Sequence, residues 1–222
     1  MDPAERKAAL EAHAREASGC ERCGLSATRT QVVYGDGPID APLILVGEAP
    51  GFHEDREGHP FAGRARELIE RLLSGVGIGL DEVYLATVLK CRVSGNREPL
   101  PEEWGACEPY LYRQLELVRP KVVATLGSFA TTLLSGKALG ITRAHGQEQE
   151  VTLGGRRVLL YPLFHPAAAL YTPAMLEVLE RDVARLPALL ERDEPAPRPP
   201  LPAANESFTK TRSRQPVQLG LF

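Results

Sequence analysis

No apolar run of about 18 residues occurs anywhere in the 222-residue chain, so the sequence offers no membrane-spanning helix. The opening residues, MDPAERKAALEAHARE, are charged throughout, which is wrong for a signal peptide. Cysteine is scarce. Four in a chain this long are too few for a secreted disulfide scaffold, and a cytoplasmic protein is the expectation. Neither sign of charge dominates: 26 Lys+Arg face 29 Asp+Glu, for a formal net charge of -3. That excludes a generally polycationic binder of nucleic acid, though not one with a local basic surface. No internal repeat is present.

What is there divides near Leu190. From residue 191 onward the sequence ERDEPAPRPPLPAANESFTKTRSRQPVQLGLF holds six prolines and almost no apolar residues before its last few. Residues 191–217 therefore read as a disordered, proline-rich linker, and residues 1–190 as one domain with enough chain to bury a core.

Within that domain strands alternate with helices. Asp2-Pro3 before a run of helix formers is a capped helix start. LILVG (43–47), VYLATVL (83–89), KVVATLG (121–127) and RRVLLYPLF (156–164) are short apolar runs bounded by turn residues, the pattern of buried strands. Between them lie amphipathic or capped helices, with Leu68, Leu72 and Val76 one turn apart in the first. Others open at Pro101, Ser128 and Pro173. This order predicts an α/β domain of three layers, α/β/α, around a mostly parallel four-stranded sheet. In such sheets ligands bind beyond the carboxyl ends of the strands. Three polar clusters fall there: Glu48 to Asp55, Lys90 to Arg97, and His165-Pro166.

Cys20 and Cys23 form a C-x2-C pair, and Cys91 and Cys107 follow with 15 residues between them. The last two can be read as buried small hydrophobes. Alternatively all four form one thiolate site, suited to zinc or to an iron–sulfur cluster, and spacing alone leaves both metals open.

The strings GEAPGFHEDREGHPFAGRA, TVLKCRVSGNREPLPEEWGACEPYL and FHPAA, in that order and with those cysteine spacings, resemble the family 4 uracil-DNA glycosylases. The resemblance covers about Cys20 to Leu190. It implies the glycosylase fold, a [4Fe-4S] cluster on Cys20, Cys23, Cys91 and Cys107, and hydrolysis of the bond joining uracil to deoxyribose in base excision repair. Such an enzyme must flip the base out of the duplex and read it in a pocket. Bond rupture leaves negative charge on uracil O2 and positive charge on the sugar, so donors must be aimed at that oxygen. The resemblance assigns Gly47, Glu48 and Ala49 to the pocket wall and gives Glu48 the water or the sugar cation. His165 stabilises the O2 charge, Phe61 stacks on the base, and Glu54 lies near uracil C5. Better-known families carry aspartate where this chain has Ala49. Family members commonly carry asparagine where it has Thr87, whose hydroxyl cannot make the same bidentate contact, so uracil readout is weaker or rearranged. Arg64, Arg66, Lys90, Arg92, Arg97 and Arg143 are candidate phosphate contacts. The basic, histidine-ended insert KRRIH of relatives that trap uracil-DNA covalently is absent between Cys91 and Cys107.

Gln218, Leu219, Leu221 and Phe222 in the closing QLGLF resemble the bacterial sliding-clamp-binding consensus, so residues 218–222 are a candidate clamp motif. A monomer working on nucleoid DNA in the cytoplasm is expected. Two competing readings are a cluster-bearing DNA-binding module of the same fold with weak or altered base specificity, and a zinc-stabilised nucleotide-binding α/β protein.

Overall fold

In a computed structural model, residues 1–192 are described. In chain order the helices are α1 (Pro3–Ser18), α2 (Phe52–Glu57), α3 (Gly63–Ser74), α4 (Pro101–Val118), α5 (Ser128–Ser135), α6 (Ile141–Ala144), α7 (Pro166–Ala169), α8 (Pro173–Val183) and α9 (Leu186–Leu190). The strands are β1 (Leu43–Gly47), β2 (Val83–Thr87), β3 (Val122–Leu126), β4 (Gln149–Leu153) and β5 (Arg156–Leu163). Among the described residues no helix is long and apolar enough to cross a membrane.

The sheet order is β2-β1-β3-β5-β4, parallel except for the β4–β5 pair. Every residue of β1, β2 and β3 is buried, because both faces of the sheet are covered. Leu43, Leu45, Val122 and Ala124 pack against Leu68, Ile69 and Leu73 of α3, Leu179 and Val183 of α8, and Leu186 of α9. Their alternates Ile44, Val46 and Val123 pack against Leu111, Leu115 and Val118 of α4 and Ala130 and Leu134 of α5. The period of two along each strand thus produces the two outer layers.

The three-layer expectation holds, but there are five strands rather than four. The additional strand, QEVTL, alternates between half-buried and exposed residues because it is the sheet's outer strand. It turns into β5 through Gly154 and Gly155, both at positive φ (55° and 74°), as a two-residue hairpin loop requires.

α1 is held differently. Its start is capped by a reciprocal pair, Glu5 N–H to Asp2 Oδ1 at 2.8 Å and Asp2 N–H to Glu5 Oε2 at 2.9 Å. Only Arg6 and Ala17 are buried on it. The Arg6 guanidinium donates to the carbonyls of Leu117 (2.6 Å) and Ile39 (3.2 Å) and pairs with Asp40, which pins the helix to α4. The chain then passes Cys20 and Cys23 and runs along the outer edge of β2. Val33 N–H donates to Lys90 O at 2.8 Å, and Asp36 exchanges two backbone bonds with Leu85.

All four parallel strands end on one side. Glu48 follows β1, Thr87 ends β2, Gly127 follows β3, and His165 lies just past β5. The chemistry belongs at that end.

Candidate active site

Beyond the strand ends the first two loops stay zipped together. Val88 N–H donates to Gly47 O and Leu89 N–H to Glu48 O, each at 2.9 Å. The GEAPG and TVLKC segments are therefore one structural unit.

Gly47 is required by what faces it. A Cβ there would come within 3.1 Å of the Phe61 ring and 3.5 Å of Thr87 Cγ2. Gly47, Phe61 and Thr87 thus meet in one place. Phe61 is 6% exposed and adopts φ 56°, the left-handed region that an aromatic residue rarely occupies. Glu54 stabilises that turn, its Oε1 accepting from Ala62 N–H at 2.8 Å. The Phe61 and His165 rings lie 6.5 Å apart at 41°.

His165 precedes α7 and caps it, its Nδ1 accepting from Ala167 N–H at 3.2 Å. An accepting Nδ1 places the proton of a neutral imidazole on Nε2, making that atom a donor. Burial pulls the pKa of His165 below 6.5, against a smaller upward pull from Glu54, so the ring is neutral at neutral pH. Glu48, Ala49 and His165 line an open cavity of about 430 Å³, together with Phe52, Arg92 and Arg97. Burial, and then the nearby Glu98, raise the Glu48 pKa above the usual carboxylate range.

Thr87 is 3% exposed and its hydroxyl donates to Leu89 O at 2.7 Å. Its one proton is committed to the loop, and its methyl is the part that faces Gly47.

One sequence expectation needs correction. Lys90 is 1% exposed and cannot reach a phosphate. Its Nζ donates to Thr87 O and Gln114 Oε1, each at 2.6 Å, and burial pushes its pKa down to about 7. Asp55, at the end of the polar cluster after β1, is 1% exposed. Both its oxygens accept from Thr30 N–H (2.9 and 3.0 Å), and Arg92 Nε lies 3.6 Å away. Asp55 ties the segment after Cys23 to α2 and hence to the cavity wall, a role that its position beside Glu54 did not reveal. Of the remaining basic candidates, Arg97 is paired twice with Glu103 (2.5 and 2.8 Å), Arg64 lies over the Tyr171 ring, Arg66 reaches Pro60 O at 3.5 Å, and Arg143 is exposed on α6.

The four cysteines come from three parts of the chain and line one small cavity of about 10 Å³. Around them Ala17, Leu25, Tyr34, Leu89 and Tyr110 form a separate apolar cluster. Lys90 N–H donates to Cys107 Sγ at 3.1 Å, and Arg29 Nη1 lies 3.5 Å from Cys91 Sγ. Burial pushes the Cys107 thiol up to about 11 and raises that of Cys91, so neither is a thiolate unless a cation takes up the charge. Among the described residues, no three His, Cys, Asp or Glu side chains are grouped to hold a single ion as they stand.

Comparison with known proteins adds the lineage. Residues 34–186 match the model of the uracil DNA glycosylase superfamily. The chain is similar to the type-4 uracil-DNA glycosylase of Archaeoglobus fulgidus, with 40% identity over 185 residues, 82% of this chain and 93% of that one. It is similar to the type-4 enzyme of Thermotoga maritima at 40% identity over 163 residues, 73% and 83% of the two chains. A type-5 uracil-DNA glycosylase of Pyrobaculum aerophilum is 32% identical over 169 residues, covering 67% of this chain and 74% of that one. With residues 34–186 matched to the superfamily and type-4 relatives aligned over most of their length, the chain belongs to the uracil DNA glycosylase superfamily, beside its type-4 members.

Proposed function

We infer that this protein is a monofunctional uracil-DNA glycosylase that hydrolyses the N-glycosidic bond of flipped-out deoxyuridine in base excision repair. The observation that carries the reading is His165: a half-buried, neutral imidazole whose Nδ1 is occupied by Ala167 N–H, leaving Nε2–H to donate at a cavity shared with Glu48. As the glycosidic bond lengthens, charge collects on uracil O2, and a fixed neutral donor stabilises it without a proton transfer. Glu48 has the complementary task of holding the attacking water and balancing the sugar cation. Gly47 and Ala49 complete the wall, Phe61 gives the base a stacking face, and Glu54 fixes the turn that carries Phe61.

Removing either group should therefore slow uracil release more than it weakens DNA binding. His165→Ala and Glu48→Ala are each expected to lose about 10²–10³-fold in rate, measured by single-turnover cleavage alongside filter binding. The Glu48 carboxyl, raised by burial, protonates earlier than a free glutamate as pH falls, so the wild-type rate should drop on the acid side. Glu48→Gln should lack that limb. A wild-type acid limb that persists unchanged in Glu48→Gln would remove Glu48 from the mechanism.

The type-4 relatives and the four-cysteine cavity support a resident [4Fe-4S] cluster on Cys20, Cys23, Cys91 and Cys107. N–H groups already directed at two of the four sulfurs suit a thiolate-held cluster, whose properties depend on such hydrogen bonds. When bound, the cluster supplies four metal–thiolate bonds that cross-link the segment after α1 to the β2–α4 loop and to α4. Anaerobically purified protein should contain about four iron atoms per chain. Cys107→Ala should lose both the iron and much of the thermal stability. Stoichiometric zinc without iron would overturn the assignment.

One observation favours a second reading, a DNA-binding module with weak or altered base specificity: the Thr87 hydroxyl is already bonded to Leu89 O. Where the type-4 pattern has a carboxamide to read the uracil edge, this chain presents a methyl. Thr87→Asn should raise uracil release several-fold on the glycosylase reading, in the same single-turnover assay. Release absent from the wild type and unchanged in the variant would favour the binding module.

Residues 218–222 lie outside the described residues. Their sequence supports docking of Gln218, Leu219, Leu221 and Phe222 into an apolar groove of a bacterial sliding clamp, which would place this cytoplasmic monomer at replicating nucleoid DNA. Five residues bury little surface, so the affinity should be on the order of micromolar. Leu221→Ala with Phe222→Ala should abolish clamp binding in surface plasmon resonance, and binding that survives would reject the motif.

A further inference from the structure

The two phenylalanines of this region differ in character. Phe61 is buried and constrained. Phe52, the first residue of α2, is 53% exposed on the wall that also bears Glu48 and His165. A single exposed phenylalanine is ordinary on a protein surface, but its neighbours here are not. The guanidinium carbons of Arg56 and Arg92 stand 5.6 and 5.5 Å from its ring centre, and the His53 ring meets it edge-on at 5.5 Å. Arg92 is kept in place by the buried Asp55.

An exposed ring with two guanidiniums over it fits a nucleotide, whose phosphates can draw the arginines off the ring and leave its face to a base. The base has a π-face for the ring, and its phosphates attract the guanidiniums. Uracil in the pocket would occupy only part of a cavity of about 430 Å³, so the outer wall is available to the next residue of the strand. In a duplex that neighbouring base is stacked and paired. In a single strand it is free to turn onto a ring.

We propose that Phe52, flanked by Arg56 and Arg92, is a stacking platform for the unpaired base adjacent to the flipped uracil, and that it biases the protein toward single-stranded uracil-DNA. The proposal rests on the uracil-DNA reading and adds the form of DNA that the site prefers.

The test uses full-length protein and oligonucleotides with a non-hydrolysable deoxyuridine analogue and 2-aminopurine on its 5′ or 3′ side. Wild-type binding to the single strand should quench the 2-aminopurine at one of the two positions. Phe52→Ala should abolish the quench and weaken single-strand binding about tenfold, within the range of one lost base–aromatic stack, and weaken duplex binding less. Phe52→Leu keeps apolar bulk without a ring face and should behave like the alanine variant, whereas Phe52→Trp should restore both signals. Quenching at neither position, quenching retained in Phe52→Ala and Phe52→Leu, or equal losses on single strand and duplex would each overturn the platform. Uracil release from an ordinary deoxyuridine strand is measured in parallel. Its absence in the wild type would defeat the glycosylase reading, while the fluorescence still decides whether Phe52 stacks.

Discussion

A buried ammonium holds the working end of this molecule together. Lys90 lies past the end of β2, and its Nζ joins Thr87 O to Gln114 Oε1 on α4, with the Tyr34 ring 5.8 Å away. Its backbone N–H reaches Cys107 Sγ, and its carbonyl receives Val33 N–H. One residue therefore connects the pocket strand, the long helix, the edge segment and the cysteine cavity. The connection is costly, because no carboxylate offsets the desolvation that pulls its pKa to about 7. Two short bonds to neutral oxygens keep it tolerable, and loss of either would leave a buried donor without a partner.

The same residue marks where sequence reasoning succeeds and where it fails. The buried strands were legible because hydrophobic runs bounded by turns have few other uses, and β1 to β3 lie within those runs. β4 was not, since an outer strand needs only every second residue buried and QEVTL reads as a polar linker. Gly154-Gly155 was the available clue to that hairpin. Lys90 and Arg92 look alike in KCR, yet one is sealed inside and the other lines the cavity. Burial of a charge is decided by which partners the fold brings to it, here Gln114 from 24 residues away, and no local pattern carries that information. Asp55 is hidden for the same reason, because its partner Thr30 comes from a different segment. The grouping of Glu48, Ala49 and His165 was legible from strand ends alone, whereas the commitment of Thr87's hydroxyl to Leu89 O required coordinates.

The cysteine cavity and the open cavity are neighbours along the chain. Cys91 lines the first and Arg92 the second. Around the other side, the segment after Cys23 is clamped to α2 by Thr30 N–H on Asp55 and by Gln31 Nε2 on Arg56 O at 2.8 Å. α2 carries Phe52 and Glu54. The segment between α1 and β1 has little regular structure and is held by these bonds, by Arg6, and by its backbone bonds to Lys90 and Leu85. A group that bridged Cys20 and Cys23 to Cys91 and Cys107 would fix both walls at once, which gives a four-cysteine site a structural purpose without any part in the bond cleavage.

Rigidity is what the pocket then has to offer. Phe61 sits at φ 56°, a conformation that costs a residue with a Cβ about 1–3 kcal/mol. It persists because the surroundings over-determine it: Gly47 leaves room for the ring, and Glu54 holds the following amide. A glycine at 61 would relieve the strain and forfeit the stacking face, so the strain follows from needing an aromatic ring at a tight turn. On the glycosylase reading this matters more here than in a pocket with an edge-reading carboxamide. With Thr87 presenting a methyl, recognition shifts from hydrogen bonds at the base edge to the shape set by Gly47, Phe61 and the capped His165. Shape discriminates only if it does not yield. The buried Lys90, the Asp55 clamp and the zipped loops therefore serve one requirement: the pocket must already be formed when the base arrives.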